Sequence, residues 1–148
     1  MAAAGASAAL AGLIFVAVSI NVEEILKLDG VPERALQALL QLIVVVVVSL
    51  LALAPGQSSA ALGIETALLG ATMLIFSVWL TAQADIPRRT WKAGRLFVLI
   101  AGSLPLMIGG ISLIAESGGG LYWLLAGIVL AILGSVSNAW VLLVEILR

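Results

Sequence analysis

Five polar side chains stand out because they interrupt or end long apolar runs, where hydrogen-bonding groups are rare. They are Glu65, Asn21, Gln41, Asn138 and Glu24. A carboxylate or carboxamide in hydrocarbon costs free energy unless it meets a partner or water. Such groups therefore commonly mark the path of an ion or a polar solute. This pattern predicts a polar pathway between helices.

The neighbouring polar residues also fit a purely structural role. Arg34, Gln37 and Gln41 recur at helical spacing and share one face, and Asn138 and Glu145 share another. The two faces are expected to meet, either as a vestibule open to the cytoplasm or as a hydrogen-bonded clasp. The clasp would pair an arginine with a glutamate, drawn from Arg34, Arg95, Glu24 and Glu145.

Glu65 is the one acidic residue within the third apolar run. An intramembrane carboxylate is a candidate proton-binding site, because desolvation favours its neutral form. At 1.5 Å per residue, however, Glu65 lies only roughly 10 Å from the start of its predicted helix. It is therefore also placed to reach water or to interact with the helix N-terminus.

Histidine and cysteine are both absent from the chain. Their absence removes the H-E-x-x-H metalloprotease motif, imidazole proton relays, thiolate nucleophiles and thiolate metal sites. Lys27 and Lys92 both fall at the ends of apolar runs, so neither is a mid-membrane base. We therefore expect no enzyme activity, no cofactor and no metal site.

The composition indicates that lipid is the solvent of this chain. Hydrophobic residues make up 63% of it and charged residues only 10%, whereas soluble domains are roughly half apolar and a quarter charged. A spanning helix needs about 20 mostly apolar residues. The sequence predicts an all-α polytopic membrane bundle forming a single domain over residues 1–148, with five transmembrane helices at about 3–26, 33–54, 60–81, 94–115 and 121–147.

The orientation of the bundle is predicted from the segment 84–95, which we name the basic connector. It contains four of the chain's seven basic residues, Arg88, Arg89, Lys92 and Arg95. Positively charged loops stay in the cytoplasm. With five spans, placing this connector inside puts all seven basic residues inside and none outside. The predicted topology is N-out and C-in.

Small residues at a spacing of four form a ridge along the fifth predicted helix: Gly127, Ala131, Ser135 and Ala139. Such ridges let helix backbones approach closely in lipid, where packing drives association. The ridge is expected either to pack against other helices of the same chain or to form a contact between copies of the chain.

Several segments resemble a group of small bacterial membrane proteins that are sometimes labelled modulators of a membrane-bound AAA protease. The similar segments are the first helix (GASAALAGLIFVAVSINVEEIL), PERALQAL after it, the APGQ turn and the GIE tripeptide that opens the third helix. The resemblance covers about half of the chain. It implies a bacterial inner membrane and no catalytic residues.

These observations favour a non-enzymatic protein of the bacterial cytoplasmic membrane that is channel-like or transporter-like and forms a homo-oligomer. The alternative is a regulatory subunit whose basic connector docks a cytoplasmic protein or anionic lipid headgroups. A purely structural assembly is a third class. The formal net charge of −1 gives no indication of nucleic-acid binding.

Overall fold

The computed structural model describes residues 1–83 and 89–146, with all side chains in these ranges except those of 89–95, 143, 145 and 146. Every regular element within these ranges is an α-helix. The helices are α1 (Ala2–Ile20), α2 (Val22–Lys27), α3 (Val31–Leu51), α4 (Ser59–Gln83), α5 (Arg89–Ile114) and α6 (Gly120–Ile146). All but the short α2 are long and apolar enough to cross a membrane, so the chain is an all-α membrane bundle with five spanning helices.

The first predicted helix is divided in two at Asn21. The Asn21 side chain donates a hydrogen bond from Nδ2 to the carbonyl of Ala17 at 2.9 Å, and asparagine competes for backbone groups in this way. The chain then turns into α2, which buries Ile25 in a cluster with Val31, Ala35 and Leu142. The helix therefore does not continue unbroken through residue 26, and Ile25 of α2 packs against α3 and α6.

The β-branched run at 43–48 is helical throughout, inside α3. In water such a run favours a strand, but a lone strand in lipid would leave its backbone groups unpaired. Gly30, with a φ of 77°, and Pro32 set the start of α3. Val45 and Val48 are fully buried, which makes α3 the central helix of the bundle.

The helices form a four-membered ring with α1 outside it. α3 packs on α4 and on α6, and α5 lies between α4 and α6, so that α3 and α5 occupy opposite corners. α1 packs mainly on α3. The perimeter is apolar and exposed, with Phe97 at 73% and Ile75 at 69% exposure. Such a surface suits lipid.

Glycines bring α5 close to both of its neighbours. A Cβ built on Gly63 of α4 would lie 2.6 Å from the carbonyl oxygen of Gly110. On the other side, a Cβ on Gly120 of α6 would lie 2.9 Å from the carbonyl oxygen of Gly109. Because real Cβ contacts are longer than these, only glycine permits such close helix packing, as in many membrane bundles.

Candidate functional site

Seven polar side chains from the four ring helices are buried together toward one half of the bundle, and we name them the interior polar cluster. Each is less than a tenth exposed: Gln37, Gln41, Ser77, Thr81, Ser103, Ser135 and Asn138. All seven are neutral amides or hydroxyls. The cluster extends from the middle of the bundle toward the end where α3 begins and α4 ends.

Gln37 connects α3 to α4. Its Nε2 donates to the carbonyl oxygen of Ser77 at 3.1 Å and to Oγ1 of Thr81 at 3.2 Å. Thr81 in turn donates from Oγ1 to the Ser77 carbonyl at 2.7 Å. We name this group the Gln37 lock. It is completely buried at Gln37 and joins two helices through polar contacts.

Gln41 reaches from α3 toward the opposite helix of the ring. A Cβ built on Gly102 of α5 would lie 2.3 Å from Gln41 Nε2, and one on Gly134 of α6 would lie 3.4 Å from the same atom. Both glycines therefore make room for the amide, and we name this space the Gln41 cradle. Gln41 is 3% exposed, and within the described part of the chain its Oε1 has no hydrogen-bond partner.

Two residues of α6 complete the cluster. Ser135 donates from Oγ to the carbonyl oxygen of Ala38 at 2.9 Å, which ties α6 to α3 between the two glutamines. Asn138 follows about one turn later and is 7% exposed. Its Nδ2 is buried without a partner among the residues that the structure describes. Within the described ranges, an acceptor on Gln41 and a donor on Asn138 thus lack partners in the cluster, as does the hydroxyl of Ser77.

This chemistry suits binding rather than bond-making. Amides and hydroxyls recognise solutes through directional hydrogen bonds, and none of the seven is a charged group or an activated nucleophile. Among the described residues, the Gln41 acceptor and the Asn138 donor have no partner, and together they match a small molecule that both donates and accepts. A buried amide left without a partner costs about 1–3 kcal/mol, so such a molecule would lower the free energy of the cluster.

The structure places only two of the five predicted pathway residues, Gln41 and Asn138, in the interior polar cluster. Asn21 lies at the junction of α1 and α2, half-buried and bonded to its own helix. Glu24 is exposed and pairs with Lys27 on the same helix, with Nζ 2.7 Å from Oε1. An exposed pair of this kind contributes little to stability.

Glu65 lies at the other end of the bundle, in the second turn of α4. It is half-buried and accepts a hydrogen bond from Nε2 of Gln57, which belongs to the loop between α3 and α4. The contact fastens this loop to the helix that follows it. Glu65 therefore has a local partner and is not part of the interior polar cluster.

The predicted ridge of α6 is covered by helices of the same chain. A Cβ on Gly127 would lie 2.8 Å from a leucine of α5, and Ala131 is 1% exposed beside the Gln41 cradle. Ser135 bonds to α3, and Ala139 packs on the apolar cluster that joins α1 to α3. These contacts occupy all four residues within one chain.

The side chains of the basic connector, including Arg88, Arg89, Lys92 and Arg95, lie outside the described residues, as does that of Glu145. Docking through this connector therefore stays a prediction from the sequence.

Four residues that shape the cluster were not predicted from the sequence: Ser77, Thr81, Gly102 and Gly134. Serine and threonine in membrane helices usually bond to their own backbone, as Thr72 does to Leu68, so their presence alone indicates no site. Glycine likewise serves ordinary helix packing. A weak signal was available in the spacing of four that Gln37–Gln41 shares with Ser77–Thr81.

Comparison with protein-family models, with curated proteins and with solved structures gave no match to this chain. The class that the fold defines is therefore the coarse one, a membrane-embedded bundle of five spanning helices, and its activity has to be inferred from the interior polar cluster.

Proposed function

We propose that this chain is a non-enzymatic, transporter-like protein of the bacterial cytoplasmic membrane, and that the interior polar cluster binds a small polar solute on its pathway. One observation supports this most strongly. The Gln41 amide is almost fully buried at mid-membrane depth, and its Oε1 has no partner among the described residues.

A packing role alone explains this amide poorly. A buried acceptor without a partner costs about 1–3 kcal/mol, which an apolar residue of similar size would avoid. The two glycines of the Gln41 cradle keep the space that the amide needs. The sequence also predicted a clasp between an arginine and a glutamate as an alternative. Glu24, one of its two candidate glutamates, pairs instead with its near neighbour Lys27.

The burial of the cluster favours a transporter-like mechanism over a permanently open channel. Gln37, Gln41 and Ser135 are each covered by neighbouring helices, so a solute would reach them only when those helices move apart. Access that alternates around a central site is the usual mechanism of small-solute transporters. The Gln37 lock is the part of the cluster nearest the end where α3 begins, and it would have to open to admit a solute from that side.

Flux into proteoliposomes tests the proposal. The solutes are glycerol, urea, potassium, chloride and protons, each under an imposed gradient, with empty liposomes as the reference. We expect flux of at least one solute, with clear losses in Gln41→Leu and Asn138→Leu. Absence of flux for every solute, from protein that is folded and inserted, would refute the proposal.

Matched variants separate the cluster from the other predicted pathway residues. Asn21→Leu removes an amide that lies outside the cluster, so it should leave flux unchanged. Glu65→Gln removes the charge at the opposite end and reports whether the pathway extends there. Flux that depends on Asn21 but not on Gln41 would contradict the assignment of the site.

The orientation N-out and C-in belongs to the same proposal. The chain has no cysteine, so single cysteines at Ala2 and Ser58 can be labelled without background. We expect a membrane-impermeant maleimide to label both in intact cells. Labelling only after the cells are opened would invert the topology.

The proposed homo-oligomer would use α1, because the ridge of α6 is already covered. A Cβ on Gly5 or Gly12 of α1 would meet nothing within 4 Å, so this face is open. Gly12→Leu should then lower the oligomeric state measured by single-molecule photobleaching in bilayers. An unchanged state would exclude this face.

A further inference from the structure

The contact between α3 and α4 differs from the other contacts of the ring. α4 and α5 approach through glycines, and so do α5 and α6, whereas α3 packs less closely on α4. Between these two helices, large side chains line a groove of about 300 Å³. The apolar lining residues are Leu40, Ile43, Val44, Leu69, Met73 and Phe76.

The side chains that line this groove are suited to contact with a hydrocarbon group. Thr72 supplies its only hydroxyl, and that hydroxyl already donates to the carbonyl oxygen of Leu68 at 2.8 Å. The described lining therefore leaves no hydrogen-bonding group for a polar solute. An apolar gap that stays empty forfeits dispersion contacts on every wall, so the groove is more stable when an apolar group fills it.

The groove is flanked at both ends by contacts between helices and is open sideways. The Gln37 lock joins α3 to α4 beyond one end. At the other end, Val44 and Leu69 pack against an apolar cluster that contains Val48. The lateral side remains, where Ile43 is 48% exposed. Since the lining lies in the middle of two spanning helices, this side faces the hydrocarbon of the bilayer.

The size of the groove limits which apolar groups can fill it. A helix from another protein or from a second copy has a diameter of about 10–12 Å with its side chains. A groove of about 300 Å³ could take only single side chains of such a helix. The open glycines where a second copy would approach lie on α1 and not beside this groove. A single hydrocarbon chain is narrow enough to enter from the side.

We propose that the groove between α3 and α4 binds one acyl chain of a phospholipid from the surrounding bilayer. The bound chain fills the space that these helices leave between them and lies next to the Gln37 lock. This site is separate from the interior polar cluster and does not depend on the proposed transport function.

The test uses the full chain in nanodiscs of phosphatidylcholine doped with a phosphatidylcholine whose acyl chain carries a diazirine near its end. After irradiation, the labelled residues are mapped by mass spectrometry. We expect adducts concentrated at 40–44 and 69–76, well above those at Leu125 and Leu133, which are 59% and 58% exposed on α6. Equal labelling around the perimeter would mean ordinary surrounding lipid and would overturn the proposal.

Two tryptophan variants on α4 provide a matched pair. Thr72 and Ile75 are both exposed, but only Thr72 lines the groove. In Thr72→Trp the indole should fill the groove and leave no room for an acyl chain, so adducts at 40–44 should fall to the level found on the exposed face of α6. Ile75→Trp should leave groove labelling unchanged. Equal effects of the two variants would overturn the proposal.

Two further measurements complete the test. Helical content and thermal stability show whether each variant is folded. If Thr72→Trp does not fold, Phe76→Ala replaces it: this change enlarges the groove and should raise labelling at Met73. Lower or unchanged labelling in Phe76→Ala would overturn the proposal. Crosslinks from the groove to a second copy of the chain, in place of lipid adducts, would also overturn it.

Discussion

Gly102→Ala is the most direct test of the Gln41 cradle. The new methyl group would lie 2.3 Å from Gln41 Nε2 and 3.3 Å from the Cα atom of Ala131. The first contact is too short for two nonbonded atoms, so the amide must move. Because Gln41 is only 3% exposed, it can do so only by displacing the residues packed around it. Overpacking of this kind costs about 1–3 kcal/mol. We expect a loss of stability in that range.

The assay is reversible unfolding in mixed micelles, followed by far-UV circular dichroism. Gly12→Ala is the matched control, because within one chain a Cβ there meets nothing within 4 Å. All variants are measured at a detergent excess that keeps the chain monomeric, so the proposed α1 contact between copies does not contribute. Removing a helical glycine should make this control neutral or slightly more stable, by up to about 1 kcal/mol. The difference between the two alanine variants therefore isolates the close contact from the change in helix propensity.

A double-mutant cycle identifies Gln41 as the cause. Gln41→Ala removes the atom that the new methyl group would strike, and the methyl group then occupies part of the space left behind. The combined variant should be more stable than the sum of the single effects by about 0.5–3 kcal/mol. Strict additivity, or a Gly102→Ala protein as stable as Gly12→Ala, would refute the described position of the amide.

Three further predictions use the same unfolding assay. Gln37→Leu breaks the Gln37 lock and should cost about 0.6 kcal/mol and at most about 1.7 kcal/mol, the mean and the maximum for interhelical hydrogen bonds in membranes. A neutral result would mean that the lock is not a stabilising contact. Ser135→Ala should cost more than Ser137→Ala, because Ser135 bonds to another helix whereas Ser137 bonds to its own. Equal losses would contradict that. Gly63→Ala should destabilise the protein by about 2 kcal/mol or more, because the new Cβ would lie 2.6 Å from backbone of α5. Gly5→Ala, whose Cβ meets nothing within 4 Å in the same chain, should be neutral. A neutral Gly63→Ala would mean that α4 and α5 are further apart.

The sequence correctly predicts an all-α protein with five spanning helices, but it locates some helix ends less well. The break at Asn21 divides one predicted helix into α1 and α2. It depends on burying Ile25 against α3 and α6, which is a contact distant in sequence. Likewise α5 begins at Arg89, five residues before the predicted start. Hydropathy predicts only the part of a helix that lies in lipid. A helix extends beyond that part when its polar end turns remain helical in water.

The candidate site was predicted only in part. Gln41 and Asn138 are recognisable from the sequence because an amide inside an apolar run is costly wherever it points. Glu65 looks equally notable by that criterion, yet it bonds to Gln57 in the adjacent loop. Hydropathy cannot separate these cases, because it reports the depth of a residue and not its neighbours.

The sequence by itself determined that this protein is embedded in a lipid bilayer and that its chain is helical there. Both conclusions follow from local physics: apolar runs of sufficient length enter the bilayer, and each run must satisfy its own backbone hydrogen bonds. Even the β-branched segment of α3 obeys this rule.

Only the tertiary structure decided which helices touch and what lies between them. It directs Gln37 to α4, Gln41 to the glycines of α5 and α6, and the ridge of α6 to helices of the same chain. Helices in lipid gain no hydrophobic advantage from one partner over another. Their pairing therefore depends on the fit of small residues and a few buried hydrogen bonds, and no local pattern in the sequence records that fit.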